Sequence, residues 1–166
     1  MVLLTAWDVS CYIGGYIQMS DYPIWWDANL TLYNKYTDKQ TQVIKWYRTT
    51  LSNCFWKSVG NKISIGNVVL ETDDIICRIP KSNLFKNRAE WQDIPNDQMS
   101  DYFTLSVGDI IVFDIVDDEI DEYTSGKRSS DLISKYKDLQ GCIEIQKVAI
   151  NTGIGRCNPH YFIRGV

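Results

Sequence analysis

Apolar and polar positions alternate in short runs along most of this chain, a pattern typical of β-strands with one buried face. The first clear run lies at residues 30–36, and residues 43–50 follow it as the expected returning strand. Residue pairs that favour turns or breaks separate the later runs: Gly60-Asn61, Gly66-Asn67, Asp73-Asp74 and Gly108-Asp109. The pattern predicts about ten short strands, the others being at 54–56, 62–65, 68–71, 75–79, 102–105, 110–116, 142–150 and 160–163.

One helix interrupts this series of strands. Ser129 or Ser130 can cap its first turn, and the helix is expected to run to about Lys137. Leu132, Ile133 and Tyr136 supply its one-sided apolar stripe. Many short strands with one short helix predict a mainly β fold, a small β-barrel or sandwich with closed or protected edges.

The first 28 residues differ from the rest because they are rich in aromatic residues and contain no Lys or Arg. We predict two parts, an N-terminal arm or added strands at 1–28 and a β-barrel-like domain at 29–166. An apolar arm needs cover, so it either packs on its own domain or docks on a neighbouring subunit. The arm residues expected to contact a subunit or partner are Trp7, Tyr12, Tyr16, Trp25 and Trp26.

A longer polar segment at residues 81–101 lies between two groups of predicted strands. Trp91 is expected to anchor this segment, and Trp91 is also a candidate contact for a subunit or partner. The arm and this segment are therefore the two parts of the chain expected to reach neighbouring proteins.

Composition and charge exclude several function classes. The formal net charge is −4 and no basic run is present, so tight binding to DNA phosphates or to an anionic membrane is not expected. The chain has five scattered cysteines without a CxxC pair, which indicates reduced and mostly buried thiols. No signal peptide or apolar run of membrane-spanning length is visible, so a soluble protein is expected.

The acidic run at residues 114–122 is the main candidate for chemistry. Its spacing does not match an EF-hand, and no glycine bends the run around an ion. The single histidine, His160, is expected to be a packed residue, and no nucleophile or phosphate-binding motif is found. We therefore expect no enzyme, no cofactor and no metal site, and we interpret the run as a solvated strand end and turn.

From Asn29 onwards the chain resembles a family of structural proteins encoded in tailed phages and prophages of Firmicutes, among the head–tail joining genes. The resemblance covers about five-sixths of the chain, and the N-terminal arm lies outside it. It rests on ordered blocks: NLTLYNKY at 29–36, Cys54-Phe55-Trp56, Trp91, DYFTLSVGDIIVFDIVDDEIDEYT at 101–124, SDLISKYKD at 130–138 and HYFIRGV at 160–166. The GDxI hairpin and the last strand are also similar to head-closure, or stopper, proteins.

This resemblance implies a virion protein of the neck, assembled in the bacterial host cytoplasm. It implies a homo-oligomeric ring of six or twelve copies that contacts portal or adaptor proteins and tail proteins, with no membrane partner. Packaged DNA would pass without sticking, along an acidic patch formed by Asp117, Asp118, Glu119, Asp121 and Glu122. A tail terminator, a minor capsid protein and a glycan- or host-surface-binding module remain the alternatives.

Overall fold

The computed structural model describes residues 12–13, 16–17, 22–65, 68–137, 141–153 and 158–166, and at 12–13, 16–17, 61–65 and 68–73 it describes the backbone alone. None of the described helices is long and apolar enough to span a membrane. The elements in chain order are β1 (Tyr12–Ile13), β2 (Tyr16–Ile17), β3 (Ala28–Thr37), β4 (Ile44–Ile65), β5 (Val68–Pro80), α1 (Arg88–Gln92), a 3-10 helix (Met99–Asp101), β6 (Ile110–Phe113), α2 (Ser129–Lys137), β7 (Cys142–Asn151) and β8 (His160–Gly165).

Strands β3 to β8 form a closed barrel in the order β3-β4-β5-β8-β7-β6, and β6 pairs with β3 to complete it. All of these pairs are antiparallel. Closure leaves no free sheet edge in the barrel wall. The predicted mainly β fold with one clear helix is confirmed, and of the two predicted architectures the barrel is the correct one.

Strand β3 is buried on both faces. Leu30 and Leu32 are fully buried in the barrel core, whereas Thr31 and Tyr33 face the other side and are covered by residues 114–120. The Thr31 hydroxyl donates to the Asp114 carbonyl at 2.8 Å and accepts from the Val116 amide at 3.0 Å. The segment after β6 therefore forms a second layer over β3, which closes a second apolar cluster together with α2.

The barrel interior is filled by aliphatic side chains and two cysteines. Cys54 and Cys77 are fully buried there, and Cys142 is buried in the cluster beneath α2. All three are free thiols, as predicted, and burial raises the pKa of Cys54 and of Cys142 to about 12. Cys11 and Cys157 lie outside the described residues.

Several predicted strand limits are wrong. Gly60-Asn61 and Asp73-Asp74 do not end strands, because Gly60 pairs with Asp73 and Asn61 with Thr72 within one continuous ladder. Residues 102–105 form no strand, and Phe103 makes a single bridge with Phe85. Strand β6 ends at Phe113 because Asp114 has a φ of 75°, which takes the chain out of the extended conformation. The turn predicted at Gly66-Asn67 lies outside the described residues.

The β4–β5 ladder extends well beyond the barrel. The last partner of β4 in β3 is Ala28, opposite Cys54, and the pairing of β5 with β8 begins only at Ile75. In the described part of the chain, residues 57–65 pair only with β5, and residues 68–74 pair only with β4. We call this part the projecting hairpin, and it is roughly 25–30 Å long at the usual rise of a strand.

Residues 81–109 fold back over one end of the barrel. Trp91 and Met99 are fully buried, and both pack in one cluster with Tyr36 of β3. The Trp91 indole donates to the Tyr102 carbonyl at 3.2 Å. The predicted anchoring role of Trp91 is confirmed, and the segment is part of the domain rather than a free arm.

Candidate functional site

An open cleft of about 650 Å³ lies against β5, β8 and β7, beside the segment before β3. We call it the aromatic cleft. Its volume falls within the range of about 300–1,000 Å³ that is usual for ligand sites. The residues that line it include Trp25, Trp26, Arg78, Ile150, His160 and Phe162.

The segment at residues 22–27 is fixed beside the cleft by hydrogen bonds and ring stacking. The Tyr22 hydroxyl donates to the Pro159 carbonyl at 2.6 Å and accepts from the Lys81 amide at 3.1 Å. The Tyr22 ring stacks on Trp26 at a centroid distance of 5.1 Å. Trp26 is thereby buried, while the adjacent Trp25 is 64% exposed at the cleft wall. Trp26 is therefore part of the buried core, whereas Trp25 is exposed and can contact a ligand.

Arg78 supplies the cationic group of the cleft. Its guanidinium lies 5.0 Å from the centroid of the Phe55 ring. The Nε atom is buried and has no hydrogen-bond partner within the part of the chain that the structure describes. A buried donor without a partner is costly. The Arg78 side chain also lines the cleft, so its guanidinium can meet an acidic or carbonyl-bearing group that enters there.

His160 forms the floor of the cleft together with Trp26. Its Nδ1 atom lies 2.7 Å from the Asn158 carbonyl, and because a carbonyl only accepts, Nδ1 carries the hydrogen. Trp26 packs edge-on against the imidazole at 5.4 Å. These contacts confirm the predicted role of His160 as a packed and hydrogen-bonded residue. The described walls of the cleft contain no serine, cysteine or carboxylate beside this histidine.

The structure separates the predicted contact residues. Of the arm residues, Trp25 is exposed at the aromatic cleft and Trp26 is buried beneath it. Trp7 lies outside the described residues, and Tyr12 and Tyr16 lie in β1 and β2, whose backbone alone is described. Trp91 is fully buried within its own chain, and its role as a contact residue stays a prediction.

The acidic segment at 117–122 does not form a single carboxylate cluster. Asp117 pairs with Arg48 at 3.0 Å, and Asp118 pairs with Lys135 at 2.8 Å. Asp121 accepts hydrogen bonds from backbone amides of its own turn, including Thr124 at 2.9 Å. These three carboxylates already bind groups of their own chain. No group of three metal-ligating side chains occurs among the described residues.

The two remaining acids of this segment take separate roles. Glu122 accepts from the Ser129 hydroxyl at 3.0 Å at the start of α2. Glu119 is exposed and lines a smaller cleft of about 320 Å³ together with Arg48 and Trp46. Two of the five acids in the segment, Asp117 and Asp118, are thus paired with cations. This pairing weakens the negative electrostatic potential of the segment.

A buried polar network around Asp109 was missed from sequence. The Asp109 carboxylate accepts from the Asn34 side-chain amide at 2.9 Å, the Lys35 amide at 2.9 Å and the Ser106 amide at 3.0 Å. Arg88 Nη1 lies 3.7 Å from it. Burial raises the pKa of Asp109 to about 6, while these donors and Arg88 act in the opposite direction. The network ties residues 81–109 to β3.

Comparison with known proteins gives a family. Residues 25–166 match the model of a family of unknown function, DUF6751. The chain belongs to this family. The DUF6751 region includes both tryptophans of the aromatic cleft and every strand of the barrel. No curated protein and no solved structure matches the chain.

Sequence reasoning did not find the aromatic cleft because its walls come from residues 25–26, 78, 150 and 160–162, which are far apart along the chain. One local signal was available. Arg78 lies within the otherwise apolar run of residues 75–80, and a charge in a buried strand needs a partner or a route to solvent. The buried role of Asp109 has a weaker signal, since the sequence indicates only that this residue belongs to the Gly108-Asp109 turn.

Proposed function

We propose that this protein is a structural component of the tailed-phage virion at the head–tail connector. In this proposal it is a head-closure ring protein that joins the portal–adaptor assembly to the tail, and it has no enzymatic role. The sequence resemblance to head–tail joining proteins motivates the proposal, and the projecting hairpin is the structural observation that supports it best.

The projecting hairpin suits a subunit of a ring. A two-stranded ladder alone is marginally stable in water, and residues 57–65 and 68–74 have no third strand beside them in the described chain. Contact with a neighbouring copy would supply the missing packing. In a closed ring each copy gives its hairpin to one neighbour and receives another, which is the heterologous contact that cyclic symmetry needs.

Charge supports a wall that DNA passes rather than a surface that grips it. The chain has a net charge of −4, and three of its six arginines, Arg48, Arg88 and Arg164, are paired with aspartates. Tight DNA binding needs several unpaired cations that release counterions from phosphates. A subunit with this charge pattern is compatible with a channel wall.

The test is the copy number and position of the protein in purified particles. We expect six or twelve copies per particle between portal and tail by cryo-EM and quantitative mass spectrometry. Host lysates from a phage lacking the gene should contain filled heads and separate tails. Hundreds of copies would instead favour a capsid or tail-tube protein, and absence from the particle would end the proposal. A terminal position on the tail would favour a tail terminator.

One observation favours a second candidate, a glycan- or host-surface-binding module. Trp25 is 64% exposed at the wall of a cleft that also presents Arg78, and exposed tryptophans commonly stack on sugar rings. Binding on a glycan array that is lost with Trp25→Ala would support this candidate. Trp46→Ala, at the smaller cleft, is the matched control.

A further inference from the structure

We infer that the aromatic cleft of one copy binds the N-terminal arm, residues 1–21, of a neighbouring copy. The inference deepens the ring proposed above and rests on it for the presence of a second copy. It names the segment that links one subunit to the next and the surface that receives it. Neither the family description nor the fold assigns this contact.

The position of the cleft supports this occupant. The arm joins the barrel at Tyr22, which is hydrogen-bonded at the edge of the cleft, and Pro23 and Trp25 line it. Twenty-one residues precede Tyr22, and β1 and β2 pair with each other as a hairpin within them. The linker from Ile17 to Tyr22 spans at most about 3.5 Å per residue, or roughly 18 Å, so the hairpin can reach the cleft of a copy packed directly beside it.

The chemistry of the arm matches the chemistry of the cleft. Residues 1–21 contain Trp7, Tyr12 and Tyr16 together with two acids, Asp8 and Asp21, and no Lys or Arg. The cleft offers exposed apolar walls, with Trp25 at 64% and Ile150 at 59% exposure. Its cation is Arg78, whose buried Nε lacks a partner in the described chain. An apolar and acidic peptide satisfies both kinds of group.

A neighbouring arm fits better than the chain's own arm. Tyr22 is held at the edge of the cleft by two hydrogen bonds, which limits how the residues just before it can turn into the same cleft. Tyr22 precedes Pro23, and a residue before proline is disfavoured in the αR conformation that common tight turns use. An arm from the next copy meets no such constraint.

Cross-linking between two distinguishable full-length chains tests the contact. One chain carries Ile150→Cys, Cys11→Ser and Cys157→Ser, and the other carries Cys157→Ser and keeps Cys11. A bis-maleimide linker of about 10 Å should join the two chains. Cys54, Cys77 and Cys142 are buried free thiols with raised pKa values, so they react slowly. Moving the new cysteine from Ile150 to exposed Ser130 is the control that should not cross-link.

A second measurement tests the chemistry of the contact. We expect a synthetic peptide of residues 1–21, added in excess to the full chain, to reduce the cross-linked yield at least tenfold. Arg78→Met should lower the yield about tenfold, and Arg78→Lys should restore part of it. Arg48→Met, which removes an arginine paired elsewhere, should leave the yield unchanged.

Each outcome decides the inference. A cross-link within single chains carrying both Cys11 and Ile150→Cys, persisting at high dilution, would show that the arm fills its own cleft and would overturn it. No cross-link of either kind, or glycan binding abolished by Trp25→Ala, would also overturn it. If the chains cross-link but particles lack the protein, the connector role fails and the arm contact stands. If particles contain a neck ring without this contact, the inference alone fails.

Discussion

Asp109 and Asp118 lie nine residues apart in one acid-rich stretch, yet their carboxylates meet opposite environments. Asp109 is 1% exposed and lies inside a network of donors from β3 and the 81–109 segment. Asp118 is half-exposed and is bound by Lys135 and Tyr136 of α2. Asp109, which the sequence places in a simple turn, supports the fold. Asp118, which lies in the acidic run, forms only a local surface contact.

The two environments shift the pKa in opposite directions. Burial raises the pKa of Asp109 to about 6, because removal from water penalises the ionised form more than its donors favour it. Hydrogen bonds from Lys135 and then Tyr136 hold the pKa of Asp118 below its usual range. A run of carboxylates in a sequence therefore does not indicate which carboxylate is buried and supports the fold.

The largest effect should come from Asp109→Ala. This change leaves three buried donors, on Asn34, Lys35 and Ser106, without their acceptor, at a cost of about 1–3 kcal/mol each. Relief of the buried charge offsets part of that cost, so we expect the free energy of unfolding to fall by about 3 kcal/mol. Urea denaturation at pH 7 measures it. Asp117→Ala is the control, and a loss equal to that control would contradict the structural role of Asp109.

The next effect is a pH dependence with a defined sign. Because the folded-state pKa of Asp109 is about 6 and the unfolded value about 3.8, the folded protein retains a proton that the unfolded chain has released between these values. Stability from this group is complete below pH 4 and falls as pH rises through 6, by at most about 3 kcal/mol. NMR titration of the Asp109 carboxyl carbon should show a midpoint near 6. A midpoint below 4 would contradict this account.

The sign is opposite for Asp118. Its pKa is lowered in the folded state, so its contribution to stability is present above the unfolded pKa and is lost as pH falls through the folded value. The same NMR titration follows both carboxyl carbons in one sample. Two midpoints on the same side of the usual aspartate value would remove the contrast between the two regions.

A smaller effect should separate the roles of charge and burial at Asp109. Arg88 lies 3.7 Å from that carboxylate and also donates to the Lys35 carbonyl. Arg88→Met should raise the pKa of Asp109 further and lower the free energy of unfolding by about 1–2 kcal/mol at pH 7. At pH 5 the loss should be smaller, since Asp109 is then largely protonated. An equal loss at both pH values would show that Arg88 acts only through its packing on Trp91 and its bond to Lys35.

The sequence predicted the fold class and the helix, because both follow from local periodicity. Leu30 and Leu32 alternate as barrel residues, and α2 ends at Lys137, as expected. The helix begins at Ser129, which is its first residue and not its cap. The continuity of β4 through Gly60 could not be predicted, since it depends on pairing with Asp73 across the hairpin. Local preferences of Gly and Asn for turns are overridden there by a long ladder.

The candidate site was harder to predict than the fold. Trp25 is exposed at the cleft, and its contact role stays a prediction. Trp25 and Trp26 are adjacent and identical in type, and only the stacking of Tyr22 and the edge contact of His160 make the second one the buried residue. Tyr22 lies only four positions before Trp26, but the contact with His160 joins residues more than a hundred positions apart. The sequence around the two tryptophans therefore holds only part of what distinguishes them.

The smallest effect should come from Asp118→Asn. The change removes an exposed ion pair with Lys135 and weakens the hydrogen bond from Tyr136, while the bond from the Tyr33 hydroxyl to the Asp118 backbone carbonyl, at 2.6 Å, is retained. Exposed ion pairs contribute little because solvent screens them, so the Tm should fall by no more than about 2–4 °C. Calorimetry at low and high salt measures this, and the difference from wild type should shrink in high salt. A fall as large as that of Asp109→Ala would mean that the acidic segment, and not the buried network, holds this layer on the barrel.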